Sequence, residues 1–403
     1  MFSLLGDIVR ENSERRRARA YLGVLSMIVN EDLHVQAQET MSSNPPALSS
    51  IPGIRSRLND WYVEHARVLP WRSEPTPYRV WMSEIMLQQT RVDTVIPYFE
   101  RFQAAYPTVE KLADAREDEV LGLWAGLGYY RRARALHAAA RAVVEQGGFP
   151  DTVEGLLKLP GVGRYTAGAI ASIAFGVSAP VLDGNVARVL SRLLALELPV
   201  DKPPGQRLLW AIAEELVDPE RPSDHNQGMM ELGALICSPR SPDCCACPVR
   251  VDCRGADQEQ VERYPIKTPR KKPTRVRAVA GLLLDPDRGV LLARRPEEGL
   301  LGGLWEVPGG DWPARVSAVS ALQTAWRERM GIGVEVGGLL GEVEHVFTHR
   351  KLRLLVHEIS VAQGEPIAKG YPEVRWVDRE ALVSVPLSRL TQKVLATVGW
   401  NHD

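Results

Sequence analysis

Leu159-Pro160-Gly161-Val162-Gly163-Arg164-Tyr165 joins two helix-like runs, Thr152–Leu159 and Tyr165–Phe175, and its reading decides the fold around it. Asp151-Thr-Val-Glu154 opens the first run as a helix start with a capping acid, and Pro160 closes it. Glycine at 161 and 163 permits positive φ and lets the backbone approach a ligand closely. Exposed N–H groups at the start of the second helix form an anion site suited to a phosphate. The plain alternative is a turn between two helices with no ligand, because Gly-x-Gly is common there.

Helical periodicity spreads outward from this hairpin, from Ile54 to about Cys253. Apolar-periodic runs cover Pro77–Thr90, Val92–Ala105, Glu117–Ala125, Arg131–Gln146 and Gly184–Leu196, broken by Pro and Gly. Their short connections suit an all-α domain, which we place at 51–253. Two carboxylates stand out in it. Glu84 lies inside the run Pro77–Thr90, with Val80, Trp81, Leu87 and Gln88 at its i±3 and i±4 positions. It is either a boundary residue or a carboxyl buried for chemistry, which desolvation would keep protonated as a general acid requires. Asp183, in Val181-Leu-Asp-Gly-Asn-Val186, reads locally as the N-cap of the next helix. Two carboxylates in different environments also suit glycosidic cleavage, one protonating the leaving group and the other stabilising the oxocarbenium ion.

Cys237, Cys244, Cys247 and Cys253 follow in the spacing C-x6-C-x2-C-x5-C. Four thiolates in so short a stretch can hold a [4Fe–4S] cluster or a structural zinc; a four-Cys zinc site usually shows two CxxC pairs, and this run has one. Cys245 reads as a spare thiol beside Cys244. Metal spacing rather than a disulfide framework points to a reducing compartment.

Lys267-Thr-Pro-Arg-Lys-Lys-Pro-Thr-Arg-Val-Arg277 carries six basic residues, two prolines and no acid. We read 254–277 as a basic linker, either a solvated tether or a phosphate contact. Beyond it the period becomes two: Val276–Leu284 and Val290–Arg294 flank the hairpin signature Asp285-Pro-Asp-Arg-Gly289. Further strands are expected at Val334–Leu340, Leu352–Val361 and Val374–Val377, with one helix near Val316–Met330, giving an α+β domain over 278–403.

A formal net charge of −1 argues neither for nor against nucleic acid, so any DNA surface must be local. An apolar share of 45% without a run of roughly 20 apolar residues speaks against a membrane span. Residues 1–50 match neither a secretory signal nor a mitochondrial presequence. We expect an N-terminal extension, poorly ordered, or an over-extended start with Met41 as the alternative.

Taken together, Leu69-Pro-Trp-Arg72, Trp81-Met-Ser-Glu-Ile-Met-Leu-Gln-Gln-Thr-Arg91, Trp124-Ala-Gly-Leu-Gly-Tyr-Tyr130, Leu159–Ile170, Leu182–Val189 and the four cysteines become specific. The chain resembles the MutY-type adenine DNA glycosylases of the helix-hairpin-helix superfamily. That resemblance implies an all-α glycosylase domain with an iron–sulfur loop, followed by an α+β Nudix-like domain. It implies an enzyme that flips adenine out of duplex DNA, where it stands opposite 8-oxoguanine or, less well, guanine, and cleaves its N-glycosidic bond. By similarity Glu84 protonates the adenine, Asp183 stabilises the sugar cation and Asn185 supports Asp183. Gln89 and Tyr129 match residues that wedge into the duplex, and Arg72, Thr90 and Leu127 match positions near the flipped base or its partner. Gly161 and Gly163 form the DNA-binding hairpin, Trp81 is core, and the cysteines hold one [4Fe–4S] cluster of structural role.

Tyr165 stands where the related endonuclease III branch carries a lysine able to form a Schiff base with the sugar. A monofunctional enzyme leaving an abasic site is therefore expected; an endonuclease III-like glycosylase/lyase for oxidised pyrimidines is the alternative. The C-terminal part resembles a Nudix fold through Gly299–Gly310. Of its acidic metal-binding helix Glu328 survives, while Arg329 stands where an acid belongs, so recognition rather than pyrophosphate hydrolysis is expected. Phe347-Thr348-His349 matches the loop that reads 8-oxoguanine. The resemblance further implies a monomer, cytoplasmic and associated with the bacterial nucleoid through DNA.

Overall fold

The structure, a computed structural model, describes residues 51–269, 273–347 and 349–400; the expected N-terminal extension and Thr348 lie outside the described residues. Helices cover Ile51–His65, Pro77–Leu87, Val92–Ala105, Val109–Asp114, Glu117–Trp124, Arg131–Glu145, Arg164–Phe175, Gly184–Leu193, Pro203–Leu216 and Pro222–Leu235. A helical turn, Arg254–Asp257, follows the cysteines, and β1 begins at Thr274. Two compact units result, and they do not follow chain order: one takes 51–66 with 178–268, the other 67–177 with the residues from 269 onward.

In the first unit, Ile51–His65 packs on Pro222–Leu235. Arg55 reaches back to the carbonyls of Glu215 and Leu216, and Arg57 pairs with Asp252. Gly184–Leu193 lies against the same helix so closely that a Cβ at Gly233 would stand 2.6 Å from the Asn185 Cβ. Only glycine fits there.

In the second unit, Thr76 caps Pro77–Leu87 ahead of a proline at its first position. The helix stops three residues short of the expected Thr90: Gln88 already turns out of it at ψ 111°, and Gln89 follows at a left-handed φ of 58°. Gly176, at φ 67°, ends Arg164–Phe175 in the same manner. Gly161 has the expected positive φ of 73°, and a Cβ there would meet Ala135 at 2.5 Å. Gly163 does not: its φ of −96° is that of the N-cap of Arg164–Phe175. Its value lies in bringing no side chain to the exposed first turn.

The Nudix-like part holds two sheets. One runs β5 (Gly309–Asp311), β1 (Thr274–Leu282), β7 (Arg350–Ser360), β6 (Glu335–Val346); β1 and β7 are parallel and pair Ala278 with Leu354. The other joins β2 (Leu284–Asp285), β3 (Gly289–Arg294) and β4 (Trp305–Glu306), with β8 (Glu373–Val377) also on β3. The expected hairpin is there, pairing Asp285 with Gly289. Side chains alternate between two cores. Val279, Leu291 and Leu355 face the helix Ala318–Arg329 and its Trp326, whereas Ala280, Leu292 and Val356 face Trp305 and Leu395. Burial on both faces explains the nearly continuous apolar runs of β1, β3 and β7. β4, β5 and the helix Arg389–Ala396 are additions to the expected elements.

Trp326 is fully buried between its helix and the sheet. Trp326→Ala is expected to destabilise this part by about 3–5 kcal/mol, the usual cost of emptying so large a core site. Denaturant unfolding followed by near-UV dichroism measures it; a loss under about 1 kcal/mol would show that the site collapses around the gap.

Candidate active site and cysteine pocket

Glu84 is 5% exposed, in a helix whose Val80, Trp81 and Ile85 are also buried. Buried carboxyls need partners. The Tyr165 hydroxyl supplies one, donating to Oε2 at 2.5 Å from the second residue of the helix after the hairpin. These two helices pack on each other, and Gln88 Nε2 adds a contact to Thr166 Oγ1 at 3.4 Å. Trp81 is fully buried core, packed edge-on against Phe149.

Asp183 caps Gly184–Leu193: Oδ1 accepts from the Val186 N–H at 2.7 Å and Oδ2 from Asn185 Nδ2 at 3.1 Å. The residue keeps some surface, yet its carboxyl lies deep enough that burial raises its pKa against the lowering pull of those bonds and of Arg188. The capping role and a buried, chemically disposed carboxyl are thus the same geometry. Asn185 is held in turn by Arg188, whose Nη2 donates to Asn185 Oδ1 at 2.8 Å and to the Gly233 carbonyl at 2.7 Å, while Nε reaches the Cys237 carbonyl at 2.7 Å. Glu84 and Asp183 belong to different units, and each site stands on its own contacts.

Cys237, Cys244, Cys247 and Cys253 line one small, partly open cavity with Arg192 and Arg250; exposed Cys245 is not among the lining residues. Arg192 is 1% exposed and places Nη1 3.3 Å from Cys237 Sγ while bonding the Ser238 and Tyr264 carbonyls. Burial raises the thiols of Cys244, Cys247 and Cys253, that of Cys247 to about 12. Among the described residues no three His, Cys, Asp or Glu converge tightly enough for a single metal ion.

Four of the expected DNA-contacting residues group around two turns. Gln89 and Thr90 follow the helix Pro77–Leu87; Leu127 and Tyr129 lie in the turn before Arg131–Glu145. Gln89 and Tyr129 are exposed and both left-handed, at φ 58° and 51°, whereas Leu127 is buried. Arg72, partly exposed, donates to the Arg67 carbonyl. Phe347 half-buries against the Nudix-like core with its ring tilted against His345, centroids 4.6 Å apart, and His349 is exposed at the β6–β7 tip. Glu328 is exposed; Arg329 donates to the Gly309 carbonyl at 2.7 Å and lies 4.3 Å over the Tyr371 ring.

Arg132, Arg188 and Arg192 were not singled out from sequence. The signal that marked Glu84, a charge on an apolar helix face, applies equally to Arg132, which shares its face with Leu136 and Ala139.

Residues 82–212 match the HhH-GPD superfamily of base excision DNA repair proteins, and residues 279–397 match the NUDIX domain. This combination defines a helix-hairpin-helix DNA glycosylase with a Nudix region attached. The chain is 38% identical over 404 residues to the adenine DNA glycosylase of Homo sapiens, covering 86% of this chain and 74% of that one. With the mouse adenine DNA glycosylase the identity is 36% over 449 residues, covering 95% and 86%. A solved thermostable thymine-DNA glycosylase overlays 52% of this chain and 98% of its own at a TM-score of 0.48, with 29% identity. The chain belongs to the adenine DNA glycosylase family. It is an adenine-specific DNA N-glycosylase of base excision repair.

The raised pKa of Asp183 has a consequence for stability. The folded state holds that proton more tightly than the unfolded chain does, so the carboxylate weighs against folding above the ordinary aspartate range. The penalty grows as pH rises through the folded pKa and vanishes below the unfolded one. Asp183→Asn keeps a capping oxygen and is expected to melt higher than wild type at pH 8, with the gap closing on acidification. Thermal melts across pH measure this; an equal or lower midpoint at pH 8 would contradict it.

Proposed function

We propose that the enzyme excises adenine standing opposite 8-oxoguanine, and less well opposite guanine, leaving an abasic site in an intact strand. The observation that carries the chemistry is Glu84, a carboxyl deep in an apolar helix with the Tyr165 hydroxyl on one oxygen. Glu84 delivers a proton to N7 of the extruded adenine, weakening the N-glycosidic bond. That bond breaks with its electron pair leaving on the base. The Asp183 carboxylate, oriented by Asn185 and the Val186 N–H, stabilises the cationic sugar until water adds to C1′. A phenol at Tyr165 offers no amine for a Schiff base, which supports a monofunctional reaction. Gln89 and Tyr129 act as wedges, the Gly161–Gly163 hairpin takes a backbone phosphate, and Arg72, Thr90 and Leu127 line the surroundings of the target pair. The β6–β7 tip, with Phe347 and the exposed His349, reads the base opposite. We place this work in the cytoplasm, on chromosomal DNA, by a monomer.

Four thiols around one cavity, with buried Arg192 beside a sulfur, fit a [4Fe–4S] cluster. A cluster sets each thiolate on its own iron, so it does not need the tight convergence that a single zinc demands. Cys237, Cys244, Cys247 and Cys253 would hold it, and it would supply structural anchorage for the loop rather than electrons.

Single-turnover excision on duplexes with adenine opposite 8-oxoguanine, guanine or thymine tests the reading. Glu84→Gln is expected to lower the rate by about 10²-fold or more while binding persists; near-normal cleavage would remove Glu84 from its role. His349→Ala is expected to shrink the preference for 8-oxoguanine over guanine, and an unchanged ratio would leave the β6–β7 tip without its part. Anaerobically purified protein is expected to contain about four iron atoms per chain. Cys247→Ser lowers that content and the soluble yield, Cys245→Ser does not; stoichiometric zinc without iron would refute the cluster.

A further inference from the structure

Arg132 has no part in the chemistry above, yet its guanidinium is bonded more elaborately than a structural cation requires. It is 9% exposed at the start of Arg131–Glu145. Nη1 donates to the carbonyls of Ile85, Met86 and Gln88, and Nη2 to Thr90 Oγ1 and the carbonyls of Leu127 and Gly128. Among the described residues no carboxylate pairs with it; carbonyl dipoles and the rings of Trp124 and Tyr129, each 5.3 Å away, face its charge. Burial lowers its pKa only to about 10, so it stays a cation at neutral pH.

Two of those acceptors have a particular position. The Gln88 carbonyl belongs to the peptide plane before Gln89, and the Gly128 carbonyl to the plane before Tyr129. Both of these residues are exposed and left-handed, as Ser241, Glu259 and Arg315 are elsewhere, and in the bulky Gln89 and Tyr129 that conformation is held against its cost by the surroundings. With the path of the Cα atoms held by the packed helices, turning the peptide plane before a residue changes its φ, so a bond that holds that plane restrains φ. A single planar fork thereby sets both residues and the spacing between them. We propose that Arg132 is the positioning residue for base extrusion, holding Gln89 and Tyr129 at the spacing from which they enter the duplex together. This rests on the wedge roles given to those two residues above.

The test uses the full-length enzyme and duplexes carrying 2-aminopurine beside the target adenine, whose fluorescence rises on unstacking. Arg132→Lys retains charge but cannot reach both turns, and Arg132→Met removes it; dichroism melts confirm folding. Thr90→Val deletes one acceptor with the arginine in place, and it carries the test if the arginine variants fold poorly. Both arginine variants are expected to lose the fluorescence rise and to excise paired adenine about tenfold or more slowly. Excision of an adenine already unstacked in a single-nucleotide bulge changes by less than about threefold. Thr90→Val moves both readouts the same way, by less. Equal losses on paired and bulged substrates, or an intact fluorescence rise, would overturn the proposal. Gln89→Ala and Tyr129→Ala separate the layers: if they leave the rise intact, the wedge reading has failed; if they abolish it and the Arg132 variants do not, only the positioning role has.

Discussion

The first unit depends on one close approach, the seating of Gly184–Leu193 on Pro222–Leu235 where residue 233 has only hydrogen for a side chain. That contact places Asn185 and gives Arg188 the Gly233 carbonyl as a second anchor. From Arg188 one line of bonds leads through Asn185 to the Asp183 carboxyl, and another to the Cys237 carbonyl. The carboxyl given to the sugar cation and the loop given to the metal are therefore carried on one rigid pair of helices. A methyl at 233 would disturb both at once.

Several charged side chains in the second unit lean on neutral groups. Glu84 takes a neutral phenol, Arg132 takes carbonyls and ring faces, and Arg329 takes a carbonyl and the face of Tyr371. Removing one member of a buried ion pair strands the other. Dipolar and aromatic partners, as around Arg132, leave no such orphan.

Much of this was legible in the chain. Helix and strand identities followed from periodicity and from glycine and proline, and the spacing of the four cysteines anticipated one shared cavity. Glu84 could be picked out because a charge on an apolar face is conspicuous. Asp183 looked like a cap and is one, and no local pattern distinguishes a cap at the surface from one whose carboxyl is buried. The short strands β4 and β5 escaped notice because two or three residues are too few to show a period. The left-handed turns at Gln89 and Tyr129 were hidden for another reason: neither residue is glycine, and what enforces them is an arginine distant in sequence from the first. The division into units was equally hidden, since contacts between residues some 160 positions apart leave no trace in composition.

That last feature bears on how the chain comes off the ribosome. Helix Ile51–His65 is made early, but the surface that covers it, Pro222–Leu235 with the Arg57 partner Asp252, is made only after all of residues 67–177. At synthesis rates of about 5–20 residues per second, the wait is on the order of ten seconds or more. Throughout it Leu58 and Tyr62, buried in the finished protein, have no native cover, while residues 67–177 emerge with many of their own partners already adjacent. A chain stalled before residue 222 would present this helix without that cover.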